Sequence, residues 1–414
     1  MRMKSLWRRL LGVEGSVVRQ VFFDAQAQAV IAVVKPGRRD RFRCGRCGRR
    51  CGRYDGGEGA RRWRCLDLGT VPVYVEAEAP RVRCREHGVV VAAVPWARHG
   101  ARFTRDFEDQ AAWLATHTDR STVSRLLRVA WRSVGKMIAR VVTEADRAID
   151  RGAGLRRIGI DEISSRKGYR YLTVVVDHDR GKLVWATAGH DDRSLSLFFE
   201  WLGPARCAQI RLVSADAAPW VGFVVERYCP QARLCLDPFH IVRWATDALD
   251  EVRRMVWNCA RRQGQAVVAE ELKGARYALW KNPENLTTRQ RCKLALIART
   301  NKPLYKAYLL KEQFRLIFKL KGKRGRSLLE AWLQWARRCR LKPFVTLAKA
   351  ITKNRAGIEA TLELGLSNAL VESVNTKIRL ITRQAFGFHS PQALIALALL
   401  TLGGLCPPLP GRSE

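Results

Sequence analysis

The sequence predicts a multidomain α+β protein, and three observations carry that reading. A β-rich N-terminal stretch holds two closely spaced pairs of soft ligands, Cys44 with Cys47 and Cys84 with His87. The middle of the chain has strand-like runs, three in quick succession and then two alternating with helical patterns, several of them carrying an acid at or near their ends. The long stretch 244–366 shows helical periodicity alone, and a further amphipathic helix follows it. The expected division is 1–100, 101–151, 155–243, 244–366 and 367–406, with the last segment completing the domain begun at 155.

In the first segment VVRQVFFD and AQAVIAVVK are β-rich and predict a hairpin. FRCGRCGRRC then sets two thiols two residues apart with a glycine after the second, the shape of a knuckle that aims both at one ion. RVRCREHG supplies a partner pair after two strand-like runs, RRWRCLDL and VPVYVEAEA. A ribbon joining two knuckles through a hairpin accounts for the interval. The expected ligands of a structural Zn2+ are Cys44, Cys47, Cys84 and His87, with Cys51 and Cys65 as rivals. A bound ion would replace the apolar core that so small a module lacks.

The second segment opens with a helix over Ala101–His117, with Thr104 placed as its N-cap. DRSTVSRLLRVAWRSVGKMIARVV then predicts two short amphipathic helices, one opening near Ser121 and one spanning Ser133–Val142, joined by a brief turn. That is a helix-turn-helix layout, whose second helix would offer Arg132, Ser133, Lys136 and Arg140 to DNA.

Gly152–Gly154 reads as a linker. IGIDEIS, YRYLTVVVD and KLVWATAG predict an antiparallel meander, with Asp179, Arg180 and Gly181 in its second turn. A helix (Leu195–Leu202), a strand ending at Asp216, a helix (Trp220–Tyr228) and a strand ending at Asp237 follow. Three antiparallel strands and then alternating helix and strand is the order of a ribonuclease H-like α/β domain. In that order the first strand is central, so Asp161 and Asp216 are expected side by side. The later helix, SNALVESVNTKIRL, sorts Leu370, Val374, Ile378 and Ile381 onto one side and Asn368, Glu372, Asn375 and Arg379 onto the other. Asp161, Asp216 and Glu372 could thus converge on a pair of metal ions.

Lys and Arg number 75 against 38 Asp and Glu, a net charge of +37, which suits a polyanionic partner. The start of the chain reads as no signal peptide, and the apolar run Ala393–Leu402 is too short to span a bilayer. A cytoplasmic setting with reduced or metal-bound cysteines is therefore expected. From Pro407 onward a disordered tail is expected.

In order and spacing, the two knuckles, IDEISSRKGYRYLTVVVD, SADAAPW, LDPFHIVRWATDALDEVRR, LKGARYALWKNPENLT, SNALVESVNTKIRL and RQAFGF resemble the DDE transposases of bacterial insertion sequences, specifically the ISL-three group, along nearly the whole chain. His87 stands where a second Cys is usual, which keeps zinc coordination chemically normal. The resemblance implies a catalytic triad of Asp161, Asp216 and Glu372 holding two Mg2+ (or Mn2+) ions. It also implies binding to transposon ends and target DNA, a homodimer on paired ends, and a nucleoid-associated setting. Asp237 is the alternative middle acid; otherwise Asp237 and His240 are auxiliary, and Glu162 points to the opposite face as a structural residue. The 244–366 stretch reads as a helical insertion whose tryptophans build its core. Its basic loop KLKGKRGR offers Lys319, Lys321, Lys323, Arg324 and Arg326 to phosphate. The alternative function is a non-catalytic DNA-binding regulator or domesticated relative.

The charge generates the first prediction. Binding to mixed-sequence duplex is expected to weaken steeply with salt, by a log–log slope of about −0.9 per phosphate neutralised, in a fluorescence titration between low and physiological salt. A flat dependence would mean that the positive charge is not deployed on DNA.

Overall fold

The structure is a computed structural model that describes residues 3–166 and 170–412; Lys167, Gly168 and Tyr169, the last of which opens the expected second strand, lie outside the described residues. The chain divides into two compact units, 1–151 with 380–414, and 152–379.

In the first unit α1 (Met3–Leu10), which the periodicity reading missed, leads into β1 (Ser16–Asp24) and β2 (Ala29–Pro36). These two pair antiparallel, as the hairpin pattern predicts. β4 (Ala60–Arg64) and β5 (Val73–Glu78) do not bridge the two knuckles; they complete a four-stranded sheet in the order β1-β2-β5-β4, with β2 and β5 parallel. The reason is burial: Val73, Val75 and Ala77 of β5 share one core with Val18, Val34 and Trp63. The knuckles belong instead to a small sheet of β3 (Gly52–Asp55), β6 (Arg81–Cys84) and β7 (Gly88–Val91), ordered β3-β6-β7.

α2 (Arg105–His117), α3 (Arg120–Leu127) and α4 (Trp131–Ala148) follow. Thr104 occupies the N-cap of α2 without a side-chain cap bond, whereas Asp119 caps α3 through the Ser121 and Thr122 amides. α4 buries Val134, Met137, Ile138 and Val141 and runs beyond the expected Val142 to Ala148, its added turns carrying Glu144, which pairs with Arg98 and Arg105. The apolar run near the C-terminus is α17 (Pro391–Leu402), which packs against α2 and α4. Pro407–Arg412 is irregular but closes a turn, Arg412 donating to the Leu409 carbonyl at 3.1 Å, so the expected disorder does not extend over these residues.

The second unit is built on β8 (Arg157–Arg166), β9 (Arg170–Asp177), β10 (Lys182–Ala188), β11 (Leu212–Ala215) and β12 (Arg233–Leu236). Their order is β10-β9-β8-β11-β12; the first three pair antiparallel, and β11 pairs parallel with both β8 and β12. Of the helices α5 (Asp192–Leu202), α6 (Pro204–Cys207) and α7 (Pro219–Tyr228), α5 and α7 bury Phe198, Phe199, Val221 and Val224 against Ile158, Ile160 and Val213.

Between β12 and α16 (Ala369–Gln384) lie α8 (Pro238–Arg262), α9 (Ala266–Lys273), α10 (Arg276–Trp280), α11 (Thr288–Thr300), α12 (Lys302–Ile317), α13 (Gly322–Arg338), α14 (Lys342–Lys353) and α15 (Arg355–Leu364). They share one core in which Trp332 is fully buried and donates to the Leu310 carbonyl at 2.8 Å. Trp244, Trp257, Trp280 and Trp335 pack on that core, as expected of structural aromatics.

Gly159 lets α16 approach β8. A Cβ there would stand 2.3 Å from Val371 Cγ2 and 2.7 Å from His178 Nε2. Gly159→Ala is therefore expected to force the helix off the strand, lowering stability by about 1–3 kcal/mol as overpacked cores do. Thermal unfolding followed by circular dichroism checks this, and an unchanged transition would refute it.

Candidate active site and zinc centre

The parallel pairing sets the acids at one level. Leu212 pairs with Arg157 and Ser214 with Gly159, so the same register carries Asp216 to Asp161. Ala215 pairs with Leu236, so the next step carries Asp216 to Asp237. Asp161 is not at a strand end, as the apolar run suggested. β8 continues past it because Ile163 and Ser164 still pair with Leu172 and Tyr171 of β9. Asp237 caps α8 through the Phe239 and His240 amides. His240 Nδ1 lies 2.7 Å from Asp216 Oδ1 and 3.2 Å from Asp237 Oδ2. Those two carboxylates raise the imidazole to about 10, so it is a cation at neutral pH. Burial pushes Asp237 up, but hydrogen bonds from His240 and from the Asn368 amide outweigh it and hold the carboxyl below its ordinary range.

α16 closes the site from the other side. Its buried arc is wider than the apolar stripe, because Asn368 and Asn375, expected among solvated polar residues, are each 1% exposed, while Leu370 yields its place to Val371. Asn368 Nδ2 donates to the Ile160 carbonyl at 3.1 Å, its amide N–H to Asp237 Oδ1 at 3.0 Å, and its Oδ1 accepts from Ser214 Oγ at 2.5 Å. Asn375 Nδ2 donates to Asp161 Oδ2 at 2.7 Å, and Asn375 Oδ1 is buried with no hydrogen-bond partner. Glu372, between them in the helix, is exposed at the edge of this arc. Burial first, then the charges of Asp216 and Glu372, raise the Asp161 carboxyl to about 6.

Asp216, Asp237 and His240 bring ligand atoms within 4.8 Å of one another; no such group of three or more among the described residues includes Asp161 or Glu372. The oxygen-rich donor set and the unpartnered Asn375 Oδ1 fit a hard cation with bound water. Glu162 is half-buried in the alternation of Ile158 and Ile160, and burial followed by the charges of Asp161 and Asp216 raises it to about 7.

In the first unit Cys44, Cys47, Cys84 and His87 bring their ligand atoms within 4.8 Å of one another. Cys44 Sγ and Cys84 Sγ lie 3.8 and 3.6 Å from His87 Nδ1, and Cys47 Sγ lies 3.7 Å from Cys84 Sγ. These separations suit a tetrahedral ion with ligand distances of about 2.0–2.3 Å. Gly48 and Gly88, at φ +71 and +64, make the tight returns after each pair. The hydrogen bond with His87 lowers Cys84 to about 6. Cys51 donates to the Arg49 carbonyl and is outside the quartet, while burial in the sheet core pushes the Cys65 thiol up to about 12.

The expected DNA contacts divide. Arg132 and Lys136 are exposed on α4 and Ser133 is half-buried. Arg140 is engaged elsewhere, donating through Nε at 2.8 Å to Glu108, whose side chain is fully buried. The basic loop is the entry to α13: Lys323, Arg324 and Arg326 are helical and Lys321 is the N-cap. Lys319 lies 3.5 Å from Glu284 and Arg326 3.6 Å from Glu363, which leaves Lys321, Lys323 and Arg324 as its exposed cations outside these ion pairs.

Residues 158–398, 92–142 and 40–87 match, in turn, a transposase family, the helix-turn-helix domain of transposase family ISL3, and the zinc-finger of transposase IS204/IS1001/IS1096/IS1165. The chain belongs to the ISL3 transposase family. It is 54% identical, over 100% of its length and 98% of theirs, to the transposase for insertion sequence element IS1557 in two strains of Mycobacterium tuberculosis. It is 25% identical to the transposase for insertion sequence element IS1001 of Bordetella parapertussis, over 94% and 96% of the two chains. All four acids of the site and the four soft ligands fall within the matched ISL3 segments. Among the described residues no helix is long and apolar enough to cross a membrane.

The raised Glu162 carboxyl gives a prediction with a definite sign. A folded-state acid above its ordinary value binds its proton more tightly than the unfolded chain does, so it costs stability as pH rises from about 4 to about 7. Glu162→Gln removes that cost. Without added divalent ions the variant is expected to melt higher than the parent at pH 8 and alongside it at pH 4; a lower melting point at pH 8 would contradict the assignment.

Proposed function

We propose that the chain recognises the terminal inverted repeats of its insertion sequence and carries out metal-dependent DNA cleavage and strand transfer, with Asp161, Asp216 and Glu372 as the catalytic acids. The observation that supports this most is the register that sets Asp161 level with Asp216, beneath a helix that presents Glu372 and is hydrogen-bonded to both parallel junctions. The strand order and the acid-bearing closing helix support a ribonuclease H-like domain made of 155–243 and the start of the 367–406 segment, interrupted by the helical insertion 244–366; from Leu380 onward that last segment falls with the first unit. Two Mg2+ (or Mn2+) ions held by the three acids would activate the attacking oxygen and stabilise the leaving one.

The protein's own groups supply the rest. Asn375 Nδ2 and the Glu162 backbone N–H each donate to one oxygen of Asp161, at 2.7 and 2.8 Å, and so fix the orientation of that carboxylate in the site. His240 contributes a positive charge beside Asp216, where a phosphate gathers charge, and Asp237 holds that imidazole while capping α8. The Cys44, Cys47, Cys84 and His87 quartet holds a structural zinc, and Arg132, Ser133 and Lys136 are the expected helix-turn-helix contacts. Lys321, Lys323 and Arg324 are the phosphate contacts left in the insertion. Two paired ends call for two copies, so a homodimer is the assembly that would do the work.

Replacing Glu372 with Gln keeps size and removes charge. Glu372→Gln, Asp161→Asn and Asp216→Asn are each expected to cut nicking and strand transfer in Mg2+ or Mn2+ by on the order of a hundredfold or more while end binding persists. Asp237→Asn should retain measurable activity. Cleavage at the parent rate by the Glu372→Gln protein would remove that residue from the triad.

A further inference from the structure

Beside the zinc quartet, a groove of about 650 Å³ runs between the first knuckle and the C-terminal half of α4. Gly45, Arg46 and Gly48 form one wall, and Ala139, Thr143 and Arg147 form the other. Arg98, His99 and Arg105 line it as well, together with a carboxylate, Glu144.

The acids around this groove are already engaged. Arg98 donates to Asp109 at 2.7 Å and to Glu144 at 2.6 Å, and it lies 3.5 Å from Glu108. Arg105 also pairs with Glu144, and Arg140 with Glu108. Three arginines therefore face three carboxylates, and Glu144 offers no uncompensated charge to an anion. Arg46 and Arg147 are different: both are exposed, and neither has a carboxylate partner among the described residues. Burial, then the nearby Arg46 and His87, push His99 below its ordinary value, so near neutral pH it lines the groove as an uncharged hydrogen-bonding ring.

The two free arginines are held in a fixed relation. Arg46 sits between two quartet thiols, and its amide donates to Cys44 Sγ at 3.4 Å. The knuckle is packed without slack on the strap that leads to α2, since a Cβ at Gly45 would stand 2.3 Å from His99 Nδ1 and 2.6 Å from the Val91 carbonyl. Arg98, from the same strap, is locked to α2 and α4 by the ion pairs above. On α4 the exposed residues Arg132, Lys136, Ala139, Thr143 and Arg147 recur at three- and four-residue spacing, a single stripe that starts at the expected reading end and finishes in the groove.

We propose that this groove is a DNA-backbone site, in which Arg46 of the zinc knuckle and Arg147 of α4 hold phosphates of the strand flanking the base pairs that the start of α4 reads. The inference rests on the transposase reading and deepens it. The zinc module anchors the backbone at a set distance from the reading helix and is not a separate reader of sequence.

The test uses the full-length chain with its zinc and a labelled duplex of mixed sequence, followed by fluorescence anisotropy over a range of salt. Arg46→Ala and Arg147→Ala are each expected to make the log–log slope shallower by about 0.9 and to weaken binding about eightfold at 0.1 M salt, with Arg46→Lys and Arg147→Lys restoring the slope. Zinc content is measured alongside; should Arg46→Ala lose the metal, Arg147→Ala, on a helix that carries none of the quartet, decides the matter. Parent-like slopes in both alanine variants would overturn the site. A parent protein with no salt-dependent binding would overturn the transposase reading as well.

Discussion

The site depends on one buried residue, Asn368. Its backbone N–H, side-chain Nδ2 and Oδ1 reach Asp237, the Ile160 carbonyl and Ser214, so a single residue is bonded at all three parallel strands just where their acids emerge. Ser214 is tied in turn to His178 at 2.7 Å. Each such bond is worth about 1 kcal/mol net, but a buried amide stripped of its partners costs more than it gains. The arrangement therefore specifies one seat for the start of α16, and with it the place of Glu372 one helical turn later. Gly159 makes that seat possible by letting Val371 lie against the strand.

The first unit solves a different problem with related means. Its knuckle sheet is short, and a clustered quartet of soft ligands and a buried set of ion pairs stand in for an extensive core. Glu108 has no exposed side-chain surface and is held by Arg98 and Arg140. Removing one member of such a network costs several kcal/mol, because a charge is left buried without its partner. The same network engages Arg140 with Glu108, whereas Arg132, Lys136, Arg46 and Arg147 stay exposed and are the cations the proposed DNA contacts use.

Much of this was legible in the sequence, for identifiable reasons. Paired soft ligands at knuckle spacing, strand-like runs carrying acids, and the helical stretch before α16 are local patterns, and local periodicity reports them. What the pattern could not report is which way a helix faces. Asn368 and Asn375 read as polar and therefore solvated, because their burial depends on partners 131 or more residues away in sequence. Their presence on the same helix as the acid was the available signal. Arg140 reads as a free surface cation for the same reason, its partner Glu108 being on another helix. The sheet that β4 and β5 join is not legible because strand pairing between distant segments leaves no trace in either. The basic loop turned out to start a helix, since Gly322 and Lys321 supply its entry while the following residues fit helical spacing.

The proposed two-ion site rests on the shared level of the parallel strands together with the seat of α16. Anomalous diffraction from crystals of the protein soaked in Mn2+ tests it most directly. Two peaks bounded by Asp161, Asp216 and Glu372 are the predicted result, with Asn375 still on Asp161. Manganese bound by Asp216, Asp237 and His240 alone, with Glu372 left in solvent, would contradict it.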